Sequence, residues 1–150
     1  MQSKTDAEKL AWIAGFVDGE ATVGMEYSRG QFIPRVTVYN TCYCTLGELT
    51  DMMDSLGLAY YVYHRQRKIR RKDGSLCLPQ WHLIVTGFKR VMRLCQALLP
   101  YLVTKRENAE LLIEYLAKRL ESGAYKNKYK NRPLTTREAE IIRRLNGGRR

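Results

Sequence analysis

Long hydrophobic runs are missing from this 150-residue sequence. None approaches the ~20 consecutive apolar residues that a helix needs to cross a bilayer, which excludes a transmembrane-helix class. The N-terminal stretch "MQSKTDAEKL" lacks the apolar segment of a signal peptide, so an intracellular chain, cytoplasmic or organellar, is expected. Cysteine is scarce: Cys42, Cys44, Cys77 and Cys95. One C-x-C with two scattered partners fits neither a disulfide framework nor a zinc spacing, which leaves reduced thiols. Acids thin out along the chain. Positions 1–60 carry four Lys/Arg against eight Asp/Glu, whereas positions 61–150 carry 22 against 7, for a formal net charge of +11 overall. Such a balance implies a polyanionic partner, nucleic acid or an anionic membrane surface, set against the plain role of keeping the chain soluble. The basic residues fall on strand-like and loop segments and not along one amphipathic helix, which argues against a membrane partner.

What is present alternates helical and strand periodicity within a length suited to a single domain, residues 1–150. A capping box, Thr5-x-x-Glu8, opens a helix expected to run from Asp6 to Asp18 and to stop at Gly19. "ATVGMEYS" and "FIPRVTVYN" alternate around the turn "SRGQ" and read as a hairpin, with Pro34 marking an edge or a bulge. Leu46, Leu49, Met52, Met53 and Leu56 restore helical spacing until Gly57. A second strand pair, "AYYVYHRQRK" and "CLPQWHLIVT", is joined through Asp73-Gly74. A helix that starts at Thr86-Gly87 and ends before Pro100 follows, then another from the capping box Thr104-x-x-Glu107 through Leu120. The basic connector "YKNKYKNRP" leads to a short helix capped by Thr135-x-x-Glu138. The expected fold is α+β, an αββαββα core over residues 6–121, its helices covering one face of a four-stranded antiparallel sheet. The connector and the short helix complete 122–150.

The first helix poses a chemical problem. Asp18 and Glu20 sit where partial negative charge from the helix dipole disfavours acids by roughly 0.3–1 kcal/mol each. A bound divalent cation removes the conflict, because it accepts hard oxygen ligands from carboxylates and backbone carbonyls. Ala11, Gly15 and Gly19 recur at four-residue spacing, a stripe that lets a second helix approach closely. Leu10, Ile13, Ala14 and Val17 form a separate face for the chain's own core. If the stripe pairs with its copy, two acids meet on a twofold axis. Two hard cations beside a phosphate backbone there would serve phosphodiester hydrolysis.

Residues Ile13-Ala14-Gly15-Phe16-Val17-Asp18-Gly19-Glu20-Ala21 resemble the LAGLIDADG motif of homing endonucleases, and the order of elements agrees over residues 6–121. One motif copy resembles the single-motif members that act as homodimers, for which Ala11, Trp12, Gly15, Asp18 and Gly19 form the expected interface. The resemblance implies Glu20 as metal ligand, with help from the Gly19 carbonyl, and Asp18 as a support of the helix junction. Asn40 and Lys105 are the implied polar and basic partners in catalysis; Asn40 also reads as an N-cap of the following helix. Thr41 and Thr45 are two options for a third such residue. Implied with them are Mg²⁺, replaceable by Mn²⁺, with Ca²⁺ binding without turnover. A long near-palindromic target in double-stranded DNA, 3′ overhangs and a mobile-intron or intein origin also follow from the resemblance. Its alternatives are a non-cleaving DNA-binding regulator and an RNA maturase that binds intron RNA.

A saddle-shaped sheet reads DNA in this picture. Strands of eight residues span ~27 Å, roughly eight base pairs, and the major groove admits a two-stranded ribbon. On the first hairpin the expected contacts are Thr22, Gly24, Glu26, Ser28, Gln31, Arg35 and Thr37, with Arg29 at the turn. Glu26 suits a cytosine amine, Arg35 guanine and Gln31 adenine. On the second pair they are Tyr61, Tyr63, His64, Arg65, Gln80 and His82. Tyrosines occupy both parities there, so alternation does not show which face meets DNA. Arg67, Lys68, Arg70, Arg71 and Lys72 belong to a phosphate-gripping loop. Lys126, Lys128, Lys130 and Arg132 add nonspecific affinity, whereas Tyr125 and Tyr129 read as packing residues.

Overall fold

The computed structural model describes residues 3–40, 42–65, 69–77, 79–123 and 133–147. Helix α1 (Asp6–Glu20) starts at the expected capping box, in which Thr5 and Glu8 exchange side-chain and backbone hydrogen bonds. It does not stop at Gly19. The helix continues to Glu20, and Ala21 passes directly into an extended strand. Glycine breaks a helix when it turns left-handed, and Gly19 is absent from the positive-φ residues.

Strands β1 (Ala21–Ser28) and β2 (Gln31–Asn40) form the first hairpin. Its turn residues Arg29 and Gly30 both take positive φ, 51° and 82°, the arrangement of a two-residue type I′ turn. Helix α2 (Tyr43–Ser55) follows and ends before Gly57 at φ 65°. Strand β3 (Tyr61–Arg65) pairs with β6 (Gln80–Thr86), while β4 (Ile69–Arg70) and β5 (Leu76–Cys77) make a separate small ribbon. Asp73 turns that ribbon by accepting from the Ser75 N–H and hydroxyl. Helix α3 (Phe88–Leu98) runs into a 3-10 turn (Leu99–Tyr101), then α4 (Arg106–Ser122) and α5 (Thr136–Leu145).

The sheet order is β1-β2-β6-β3, antiparallel throughout, so the α+β architecture read from the sequence is the one observed. Pro34 was expected at an edge or bulge, yet β2 is an interior strand. Its pairing with β6 begins only at Arg35, so the N–H that Pro34 lacks leaves no β6 acceptor unpaired.

Helices cover one sheet face. Ile13, Ala14 and Val17 of α1 and Leu46, Leu49 and Met53 of α2 join Val23, Val36, Val38, Leu83 and Val85 of the sheet in one core. Val91, Leu94 and Leu98 of α3 and Leu112, Tyr115 and Leu116 of α4 extend it. Helix α5 adds Ile141, Ile142 and Leu145 and is fastened to α4 by ion pairs. Arg119 Nε reaches Glu138 at 2.5 Å, Arg137 grips Glu114, and Arg144 pairs with Glu107. No described helix is long and apolar enough to cross a membrane.

Candidate nucleic-acid interface and catalytic corner

Strand register sorts every described residue to a face. Ala21, Val23, Val36, Val38, Leu83 and Val85 turn to the helices. The alternate positions line the open face: Thr22, Gly24, Glu26 and Ser28 on β1, and Gln31, Ile33, Arg35, Thr37 and Tyr39 on β2. From β6 come Gln80, His82, Ile84 and Thr86, and from β3 Tyr61, Tyr63 and Arg65. The parity left open for β3 is thereby fixed.

Two expected contacts need correction. His64 lies opposite Trp81 and stacks on it, ring centroids 4.0 Å apart and 17° from parallel, on the helix side of the sheet. Thr37 has the right parity but is 6% exposed, enclosed between β1 and β6. Conversely, Tyr39, 43% exposed, and the apolar Ile33 belong to the open face and were missed; Ile84, opposite Thr37, shares that parity but is 7% exposed. Tyr39 precedes the functional candidate Asn40 in a run of alternating residues. Carrying the hairpin alternation one step further than Thr37 finds it.

A charged pair sits towards the outer part of the face, where Arg35 Nη1 meets Glu26 Oε2 at 2.5 Å. Arg35 faces Gly24 across the ladder, and a Cβ placed on Gly24 would meet nothing within 4 Å, so the guanidinium has room. A cavity of about 300 Å³ opens here, lined by Thr22, Glu26, Arg35, Tyr39 and His82, with Leu145 and Asn146 of the α5 end at the β1 edge. Arg29 projects from the hairpin turn, and Arg70, Arg71 and Lys72 are exposed on the small ribbon. Gln66, Arg67, Lys68, Thr41, Lys126, Lys128, Lys130, Arg132, Tyr125 and Tyr129 lie outside the described residues.

The two acids of α1 have different surroundings. Asp18 accepts the N–H of Val103 and that of Lys105, each at 2.8 Å. It serves as an anion for the start of α4, where unpaired N–H groups and the helix dipole favour one. The capping box expected at Thr104-x-x-Glu107 is not formed: Lys105 is the N-cap and has no side-chain cap. Asp18, far away in sequence, supplies the acceptor instead.

Glu20 is exposed and has no hydrogen-bond or ion-pair partner among the described residues. Asn40 stands at the end of β2, two residues past Val38, which pairs with Ala21. Its Oδ1 accepts the Cys42 N–H at 2.7 Å, an Asx turn leading into α2, and Cys42, not Asn40, is the N-cap. Lys105 is half-buried, and its ammonium lacks an ion-pair partner among the described residues. Thus Glu20 ends α1 and Asn40 ends β2 at the same end of the β1–β2 pair, and the Asp18 bond holds the Lys105 backbone against the end of α1. No group of three His, Cys, Asp or Glu side chains clusters among the described residues. One unpartnered carboxylate at a helix end fits a hard divalent cation in ligand chemistry.

On the outer side of α1, Ala11, Gly15 and Gly19 are exposed, and a Cβ on Gly15 or Gly19 would meet nothing within 4 Å. Trp12 stacks on Phe16 beside them, centroids 5.4 Å apart.

An antiparallel sheet with helices packed on one face and the other face open, polar at its outer end, defines an α+β domain with an uncovered sheet surface. The chain belongs to the LAGLIDADG family: the family model described as a LAGLIDADG-like domain matches residues 7–116. Among solved structures, the chain is similar to the homing endonuclease I-CvuI in complex with its DNA target in the presence of calcium. That likeness has 24% identity and a TM-score of 0.58, over 94% of this chain and 96% of that one. I-CvuI with the I-CreI target and magnesium, in which the DNA is not cleaved, gives 22% identity and a TM-score of 0.59 at the same coverage. The K262A mutant of I-SmaMI is similar at 14% identity and TM-score 0.61, over 99% of this chain but 46% of that one. These likenesses establish the homing-endonuclease fold. No curated protein matches the sequence.

Proposed function

We propose that the chain is a homodimeric, divalent-metal-dependent endonuclease that cuts double-stranded DNA at a long, near-palindromic site, leaving 3′ overhangs. The observation that carries this reading is the contrast between the two acids, with Asp18 engaged by backbone N–H groups and Glu20 left exposed at the end of the same helix. Glu20 and the Gly19 carbonyl would hold Mg²⁺, which supplies Lewis-acid stabilisation of the oxygens that attack and leave phosphorus. Lys105 places positive charge where the scissile phosphate gathers negative charge. Asn40 orients water through its amide. The open face grips one half-site, and the bare stripe on α1 pairs with a second copy, so each subunit serves one strand.

The test is to incubate the purified chain with a pool of randomised duplexes in Mg²⁺ and in Ca²⁺, sequencing both cut ends and retained molecules. Cut ends with a shared two-fold sequence support the endonuclease. Retention without cutting makes the chain a DNA-binding regulator. Capture of structured intron RNA but no duplex makes it a maturase.

A further inference from the structure

Side chains cross the open face in rows, and the rows differ in chemistry from one end to the other. In the row nearest Glu20, Tyr39, His82 and Tyr63 stand abreast on β2, β6 and β3. Their rings meet edge to face, with centroids 4.6 Å apart for Tyr39–His82 and 5.8 Å for His82–Tyr63. Tyr39 is 43% and Tyr63 54% exposed. The next row outward is Thr22, Thr37, Ile84 and Tyr61, again without charge. Only beyond it comes the Glu26–Arg35 pair. These two rows, bounded by Arg65 and Gln80 on one side and by the Glu26–Arg35 pair on the other, are themselves without charge and mainly aromatic and aliphatic, within a chain of net charge +11.

His82 adds no charge to its row. Its Nε2 is buried and without a partner among the described residues. Burial, reinforced by the positive charge of Arg65, holds the imidazole below its ordinary range, so the ring is neutral at pH 7. A neutral ring packed between two tyrosines carries no charge with which to attract a phosphate. What the row offers is a fixed apolar surface.

We propose that Tyr39, His82 and Tyr63 form an apolar platform that selects thymine, through its 5-methyl group, in the base pairs beside the cut. This rests on the reading that the open face binds duplex DNA. In the major groove only thymine presents an apolar group; guanine, adenine and cytosine present acceptors or donors alone. Against the ring carbons, those polar edges would lose water and gain no partner, which disfavours them. The ring-to-ring contacts keep the platform rigid, so the preference is built in before DNA arrives.

The methyl can be removed from the DNA without touching the protein. Each thymine of a duplex selected from the randomised pool is replaced in turn by deoxyuridine, and Kd is measured in Ca²⁺. For thymines beside the cut, the wild-type Kd is expected to rise about fourfold, the effect of leaving one methyl unburied. Tyr39→Phe should keep that ratio, whereas Tyr39→Ala and Tyr63→Ala should bind both DNAs equally. Selected duplexes without thymine there, or deoxyuridine duplexes bound as tightly as their parents, overturn the platform and leave DNA binding intact. A Tyr39→Phe variant that loses the ratio shows a hydroxyl contact and also overturns it. Failure to select any duplex overturns the DNA-binding reading itself.

Discussion

Asp18 holds Lys105. The carboxylate at the end of α1 accepts the Lys105 N–H through Oδ1 and the Val103 N–H through Oδ2, both at 2.8 Å, joining residues 85 and 87 positions apart in sequence. The start of α4 has no local cap, so this bond replaces one. It also ties the backbone of the lysine proposed for catalysis to the helix that carries Glu20. Asp18→Ala leaves two donors without an acceptor and should lower stability by roughly 1–3 kcal/mol. Asp18→Asn, which keeps the shape but not the charge, should lose less. Urea unfolding of the three proteins checks the order.

The α1 stripe makes a prediction about assembly. Gly15 has open space around it within the chain, so Gly15→Leu is expected to keep the folded circular-dichroism spectrum. If the stripe faces a second copy, the same change should shift the sedimentation mass at micromolar concentration from two chains to one. A two-chain mass retained by Gly15→Leu would remove the stripe from the interface.

Helix α5 should loosen in acid. Burial presses the Glu138 carboxyl upward, but hydrogen bonds from Arg119 and Thr135 outweigh it and hold it below its ordinary range. A group whose folded pKa is depressed contributes stability that is complete above its unfolded value, about 4.3 for glutamate. That contribution disappears as pH falls through the depressed folded value. Glu138→Gln retains the capping box with Thr135 but loses the charge. Its Tm should be lower than wild type at pH 7, and the gap should close as the pH is lowered from 5 to 3, measured calorimetrically.

Arg29 occupies the left-handed region at φ 51°, a conformation that disfavours a residue with a Cβ. Arg29→Asn, which gives the Asn-Gly pair preferred in type I′ turns, should raise stability by roughly 0.5–1 kcal/mol. If Arg29 contacts phosphate, the same variant should bind DNA more weakly, and its slope of log K against log salt should be shallower by about 1. Gain of stability with no change in the salt slope would leave Arg29 out of the interface.

The fold was legible because its signals are local. The capping boxes at Thr5 and Thr135, the period-two hairpin and the stop at Gly57 each depend on a few neighbouring residues, although Gly19 did not stop α1. What was not legible depends on distant partners. Asp18 replaces the expected Thr104 cap from across the molecule, and no spacing rule within α4 reports that. On β3, Tyr61, Val62, Tyr63 and His64 are all compatible with either face. Only the pairing of Tyr63 with His82 and of His64 with Trp81 separates them. Pro34 misled for a related reason: whether its missing donor matters is set by where β6 ends. At the end of α1, the conflict with the helix dipole singled out Asp18 and Glu20 alike, and only the bonds from Val103 and Lys105 separate them, while the turn geometry of Asn40 required the chain trace.

The central claim is that Glu20 binds the metal that hydrolyses DNA. It is tested most directly by comparing wild type with Glu20→Gln on one selected duplex, reading binding in Ca²⁺ and strand scission in Mg²⁺. The account predicts equal retention of DNA by both proteins and cutting by wild type alone. A Glu20→Gln protein that still cuts both strands in Mg²⁺ would contradict it.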